Sequence, residues 1–211
     1  SFFAWISSHA ARASATRAGA IFTYVETDVS ITLARSLENG YYYEKDAFSY
    51  GNTRMKGFKH FFSVPPIHTT ELSIRGIGIQ EHMQPCLINR STGTGDWLLM
   101  LFYDPVWIGT VGQPARQEPA SFMVWAPGER QYYGDSERSY DHTWIHCHGT
   151  FVRLQIEKAG LPTNTPFRLS DPSVFDRHLL AIHEELIRHA APDVVIVQNL
   201  MENLFHSLSR A

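Results

Sequence analysis

The chain has 211 residues, 44% of them hydrophobic, and a formal net charge of −3, enough apolar content for one sizeable core or for a core domain with an attached helical unit. No clustered Lys/Arg stripe is present to mark a nucleic-acid surface, and no run approaches the ~18 to 20 apolar residues needed to span a bilayer. Two cysteines, Cys86 and Cys147, are too few for a disulfide framework and fit a reducing, cytoplasmic setting.

Residues 1–38 hold Arg12 and Arg17, many Ala and Ser, and no acid before Glu26. That composition resembles an amphipathic leader. We read the stretch as an N-terminal arm or extension. Residues 39–153 read as short β segments punctuated by Gly, Pro, Asn and Asp. The apolar run Trp97-Leu98-Leu99-Met100-Leu101-Phe102-Tyr103 fits a strand buried on both faces. Ser121-Phe122-Met123-Val124-Trp125 is a second such run, closed by the turn signal Ala126-Pro127-Gly128-Glu129. Tyr140 to Phe151 is a third. Strands at this spacing with turn signals between them predict a sandwich or a small barrel.

The period changes in the helical unit, residues 154–211. Val152 to Gly160 reads as a short helix stopped by Gly160, with Pro162 beyond it. Ser170-Asp171-Pro172 opens a second helix with the apolar stripe Phe175, Leu179, Ile182, Leu186 and Ile187. A third, about 193–209, carries Val194, Val197, Met201, Leu204 and Leu208 at steps of 3, 4, 3 and 4. That spacing is a coiled-coil seam and is expected to form a homodimer interface. Val195, Ile196, Leu200 and Phe205 lie largely off the seam, so the helix is apolar on two sides. One side can cover its own chain while the other meets a second.

Three blocks, in order, resemble the sensor domain of AraC-family transcription regulators. They are Ile88-Asn89-Arg90-Ser91-Thr92-Gly93 followed by Asp96-Trp97-Leu98-Leu99-Met100; Ala126-Pro127-Gly128-Glu129-Arg130-Gln131-Tyr132-Tyr133-Gly134; and Trp144-Ile145-His146-Cys147-His148-Gly149. A fourth, Asn199-Leu200-Met201-Glu202-Asn203-Leu204-Phe205, resembles the family's dimerisation helix. The sequence departs from the family pattern at Ala126, Gln131 and Cys147, where Pro, His and Phe are common. The resemblance implies a mainly β fold with C-terminal helices (α+β), a cupin-like double-stranded β-helix or jelly-roll barrel followed by an antiparallel helical hairpin. It also implies a sensed small-molecule effector, a sugar or a sugar acid. DNA would be contacted only through the helix-turn-helix units of family members, which this sequence does not contain.

The resemblance also nominates site residues. Arg90 matches an arginine that contacts sugar in the arabinose-responsive member, and its fork of donors suits hydroxyls or a carboxylate. Tyr133 and Tyr140 match positions lining the family pocket. Trp144 and His146 complete the expected ligand set. Strand alternation places His142, Trp144, His146 and His148 on one face. A His-x-His pair on a barrel strand is how metal-binding cupins begin a site. The alternative reading is therefore a cupin-type metalloenzyme, an isomerase or a dioxygenase, using His146 and His148 with His142. No carboxylate follows His148 in the five residues to Arg153, so no metal and no cofactor is expected. With no nucleophile arrangement readable either, the chain is not expected to be an enzyme.

Overall fold

In the computed structural model, residues 57–109 and 114–211 are described with their side chains. The arm expected over residues 1–38 lies outside them. The described strands are β1 (Phe58–Phe61), β2 (Ser73–Met83), β3 (Cys86–Arg90), β4 (Trp97–Phe102), β5 (Val106–Gly109), β6 (Ala115–Gln117), β7 (Ser121–Trp125), β8 (Gln131–Asp135), β9 (Tyr140–His148) and β10 (Phe167–Arg168). The helices among the described residues are α1 (Thr150–Ala159), α2 (Ser173–Arg188) and α3 (Val194–Leu208). Among these residues, the smaller sheet runs β6-β5-β8-β3 and the larger includes the run β10-β7-β4-β9-β2-β1. Every neighbouring pair among these strands is antiparallel.

The apolar runs of β4 and β7 follow from their place in the middle of the larger sheet. Leu98, Met100, Phe102, Met123 and Trp125 face the smaller sheet and pack with Ile88, Val106, Ile108 and Tyr133. Leu99, Leu101, Phe122 and Val124 face the other way and pack, with Ile145 and Cys147 of β9, against the helices. One sheet thus separates two cores. A strand buried on both faces has no reason to alternate in polarity.

The helices begin and end as local chemistry dictates. Gly160 takes φ 62° and closes α1, its N–H donating to the carbonyls of Glu157 and Ile156. The Asp171 carboxylate accepts from the Ser173 backbone N–H and hydroxyl at the start of α2. Asp193 caps α3, accepting from the N–H groups of Val195 and Ile196.

Two helical expectations need correction. Ile187 is exposed, because Phe175, Leu179, Ile182 and Leu186 already fill the inward stripe of α2 and Ile187 lies about a quarter-turn off it. The seam assigned to a dimer interface is also spoken for. Val197, Met201, Leu204 and Leu208 are all buried in the chain's own helical core, and Val194 packs against it half-buried. The side of α3 left facing outward is the opposite one, where Val195 is 62% and Ile196 45% exposed.

Candidate functional site

β9 carries the site because its residues alternate between the two cores. Tyr140 and Trp144 belong to the barrel interior, whereas Ile145 and Cys147 belong to the helix-side core. The Trp144 indole lies flat over β2, and two glycines make room for it. A Cβ added at Gly78 would sit 2.2 Å from Trp144 Nε1, and one at Gly76 3.2 Å from Trp144 Cζ3. From there Nε1–H donates to Glu81 Oε2 at 2.6 Å. His142 Nε2 lies 3.2 Å from the same oxygen, and the Lys59 ammonium donates to Oε1.

Burial pushes the Glu81 carboxyl up, but the hydrogen bond and charge of His142, with those of Lys59, outweigh it and hold the group down at about 2. Glu81 is therefore an ionised carboxylate that only accepts. Around it stand the rings of Phe102, Tyr133, Tyr140 and His142, with His142 centroids 5.6 Å from Tyr140 and 6.1 Å from Phe102. Burial raises both the Tyr133 and Tyr140 phenols, so both remain neutral hydroxyls near pH 7.

A second polar line runs along the smaller sheet. Arg90 and Gln131 are cross-strand partners on β3 and β8. Arg90 Nη1 donates to Gln131 Oε1 at 3.3 Å and lies 3.5 Å from the Tyr133 hydroxyl. Gln131 Nε2 donates to Thr94 Oγ1, which donates to Asp96 Oδ1 at 2.6 Å. Asp96 Oδ1 is 3.0 Å from His146 Nδ1, and its other oxygen accepts from Arg75 at 2.7 Å. Burial would raise Asp96, but His146, Arg75 and Thr94 together hold it below the usual carboxylate range. An ionised Asp96 only accepts, so His146 Nδ1–H is the donor of this pair.

The structure thus brings Arg90 and Tyr133 into contact, sets Tyr140 among the barrel rings, ties Trp144 to Glu81 and ties His146 to Asp96. His142, kept at the sequence level only for a metal site, is part of the Glu81 cluster. His148 stands apart: it is exposed at the end of β9, whereas His146 is buried on Asp96. The pair expected for a metalloenzyme therefore does not converge. Among the described residues, no group of three or more His, Cys, Asp or Glu is placed to hold a metal ion. Two buried polar atoms in the barrel, Trp125 Nε1 and His142 Nδ1, have no hydrogen-bond partner among the described residues. Glu81, Lys59, Asp96 and Trp125 were not foreseen. Glu81 lies three residues beyond Gly78 in a β2 stretch of mixed polarity, and nothing local announces that it turns inward.

Two antiparallel sheets face each other across an interior lined by side chains of both, with helices packed on the outer face of the larger one. The fold is cupin-like. No family model matches the sequence, and no curated protein matches it. Among solved structures, the AraC-like transcriptional activator CuxR aligns over 74% of this chain and 56% of its own, at 12% identity and TM-score 0.45. The chain thus spans little more than half of CuxR. A candidate mannose-6-phosphate isomerase from Ralstonia eutropha aligns over 50% of this chain and 100% of its own, at 11% identity and TM-score 0.28. HEPD from Streptomyces albus, with 2-hydroxyethylphosphonate and Fe(II) bound, aligns over 92% of this chain and 40% of its own, at 11% identity and TM-score 0.26. Two of these three carry enzyme names, which overturns the expectation that the chain is not an enzyme. At such low similarity none of them assigns an activity. Among the described residues no helix is long and apolar enough to cross a membrane.

Proposed function

We propose that this chain is the effector-binding and dimerising part of an AraC-type DNA-binding transcription regulator, and that the barrel interior takes a small polar metabolite, a sugar or a sugar acid. The observation that carries the reading is the meeting of Arg90 and Tyr133 beside the Glu81–His142–Trp144 cluster in an aromatic interior. Ligand sites of this kind combine apolar walls with a few oriented polar groups. The partnerless Trp125 Nε1 and His142 Nδ1 add support, since a buried polar atom without a partner costs ~1 to 3 kcal/mol. A polar molecule in the barrel would relieve that cost. Dimerisation is assigned to the outward side of α3, around Val195 and Ile196, and DNA contact to a separate helix-turn-helix domain.

A thermal-shift screen over monosaccharides and uronic acids tests the reading. A hit should stabilise the protein by ~2 to 3 kcal/mol near a hundredfold excess over its dissociation constant. Arg90→Ala and Tyr133→Phe should each weaken that hit by about tenfold or more. A ligand whose affinity neither substitution changes would place binding elsewhere.

A further inference from the structure

The larger sheet is bulged where the barrel cluster meets the helices. On β2 and β9, His142 pairs with Glu81 and Trp144 with Gly78, so Thr143 alone stands opposite both Ile79 and Gln80. Gln80 takes φ 46°, an uncommon conformation for a residue with a side chain. Backbone in such a conformation persists only where its surroundings hold it.

What holds it comes from β9 and α2. The Gln80 backbone N–H donates to Thr143 Oγ1 at 2.9 Å, and Gln80 Nε2 donates to Asp176 Oδ2 at 2.9 Å. Thr143 Oγ1 donates to Asp176 Oδ1 at 2.7 Å, and the Tyr103 hydroxyl donates to the same oxygen. Asp176 is buried in the first turn of α2, where a negative charge also suits the helix N-terminus. On the barrel side of the same short stretch, Glu81 gathers Lys59, His142 and Trp144. Gln80 and Glu81 are chain neighbours, and Thr143 lies between His142 and Trp144. The two clusters are therefore joined through single peptide units, on opposite faces of one sheet.

We infer that this bulge couples the barrel interior to the helical unit, with Asp176 as the residue through which α2 responds to the barrel. A β-bulge can re-aim a side chain by a local backbone change, and displacing His142 or Trp144 moves Thr143 with them. Loosening the Asp176 cluster moves Glu81 in turn, as linkage requires. The inference rests on the reading that the effector occupies the barrel and names how its arrival reaches α2.

The test uses the full chain without ligand, and the reporter is the indole N–H resonance of Trp144 in nitrogen-15 spectra. Thr143→Val keeps the shape and the charge but removes the hydroxyl; Asp176→Asn removes the charge. Both should shift the Trp144 indole signal and leave that of exposed Trp107 in place. Val197→Ala loosens the α3 core away from the bulge and should leave Trp144 unmoved. In the reverse direction, Glu81→Gln should speed amide hydrogen exchange in the first turn of α2 by roughly tenfold. A Trp144 signal unmoved by Thr143→Val, or moved as far by Val197→Ala, overturns the coupling. Should Asp176→Asn fail to fold, Thr143→Val decides alone. Failure of the effector screen leaves this ligand-free result standing, and a null here leaves effector binding intact.

Discussion

Gly78→Ala is the sharpest single perturbation of the site, because the effects bearing on it have opposite signs. Ala in a strand is favoured over Gly by ~0.5 to 1 kcal/mol from backbone entropy, and Gly78 has no positive φ to object. Against this, the new methyl would fall 2.2 Å from Trp144 Nε1 and 2.4 Å from Cε2, and the three nearest atoms to it all belong to that indole. The ring must leave β2. In doing so it gives up its hydrogen bond to the Glu81 carboxylate, worth ~1.5 to 3 kcal/mol for a charged acceptor. It also strains the barrel by the ~1 to 3 kcal/mol typical of overpacking. The net loss should be ~2 to 5 kcal/mol. At ~2 to 4 °C per kcal/mol for a domain of this size, the melting temperature should fall by about 4 to 20 °C. Urea denaturation of the wild type, Gly78→Ala, Trp144→Ala and the double variant measures it. The clash disappears when Trp144 is already Ala, so the second Gly78→Ala step should be neutral or stabilising. A cost that persists in the Trp144→Ala background refutes the close approach, as does a single variant within ~0.5 kcal/mol of wild type.

Acid should act through two separate groups. The Glu81 carboxyl is held down to about 2, so it contributes stability above its ordinary value near 4.5, lost as the pH falls from there through about 2. The loss integrates to ~3 kcal/mol at ~1.4 kcal/mol per pH unit, and Glu81→Gln should remove that limb from a pH series of unfolding curves. The buried His60–His183 pair, with nitrogens 3.1 Å apart, acts at higher pH. Burial lowers both rings, His183 to about 4 with help from the neighbouring His60. Their contribution is present above pH ~6.5 and lost as the pH falls toward 4. His183→Phe, whose ring would meet Phe58 as the imidazole does now, should flatten the pH dependence between those values. An unchanged slope would mean the pair does not titrate on unfolding.

The sequence shows most clearly what depends on near neighbours. Leu98–Phe102 and Ser121–Trp125 read as doubly buried strands because burial on both faces is written in every residue. Gly160 announces the end of α1 because only a residue free to take positive φ closes a helix that way. Arg90 and Tyr133 emerged from ordered motifs, and the fold sets them 3.5 Å apart. What pairs across long stretches of chain was hidden. Asp96 and His146 are 50 residues apart, and Asp176 meets Gln80 across 96. Periodicity gave α3 two apolar sides but could not say which faces inward. That is decided by the sheet and helices it packs on, and they took Val197, Met201, Leu204 and Leu208.

The larger sheet, with a core on each face, bears on how the protein comes apart. Its helix-facing residues Leu99, Leu101, Phe122, Val124, Ile145 and Cys147 are completely covered, and α1, α2 and α3 supply the cover. Stripping the helices would bare a contiguous apolar face of the kind that drives aggregation. Losing the smaller sheet would bare the other face of the same strands. Neither half is then an independent folding unit. Heat or urea should melt barrel and helices in one cooperative step, with near-ultraviolet and far-ultraviolet circular dichroism tracing the same curve.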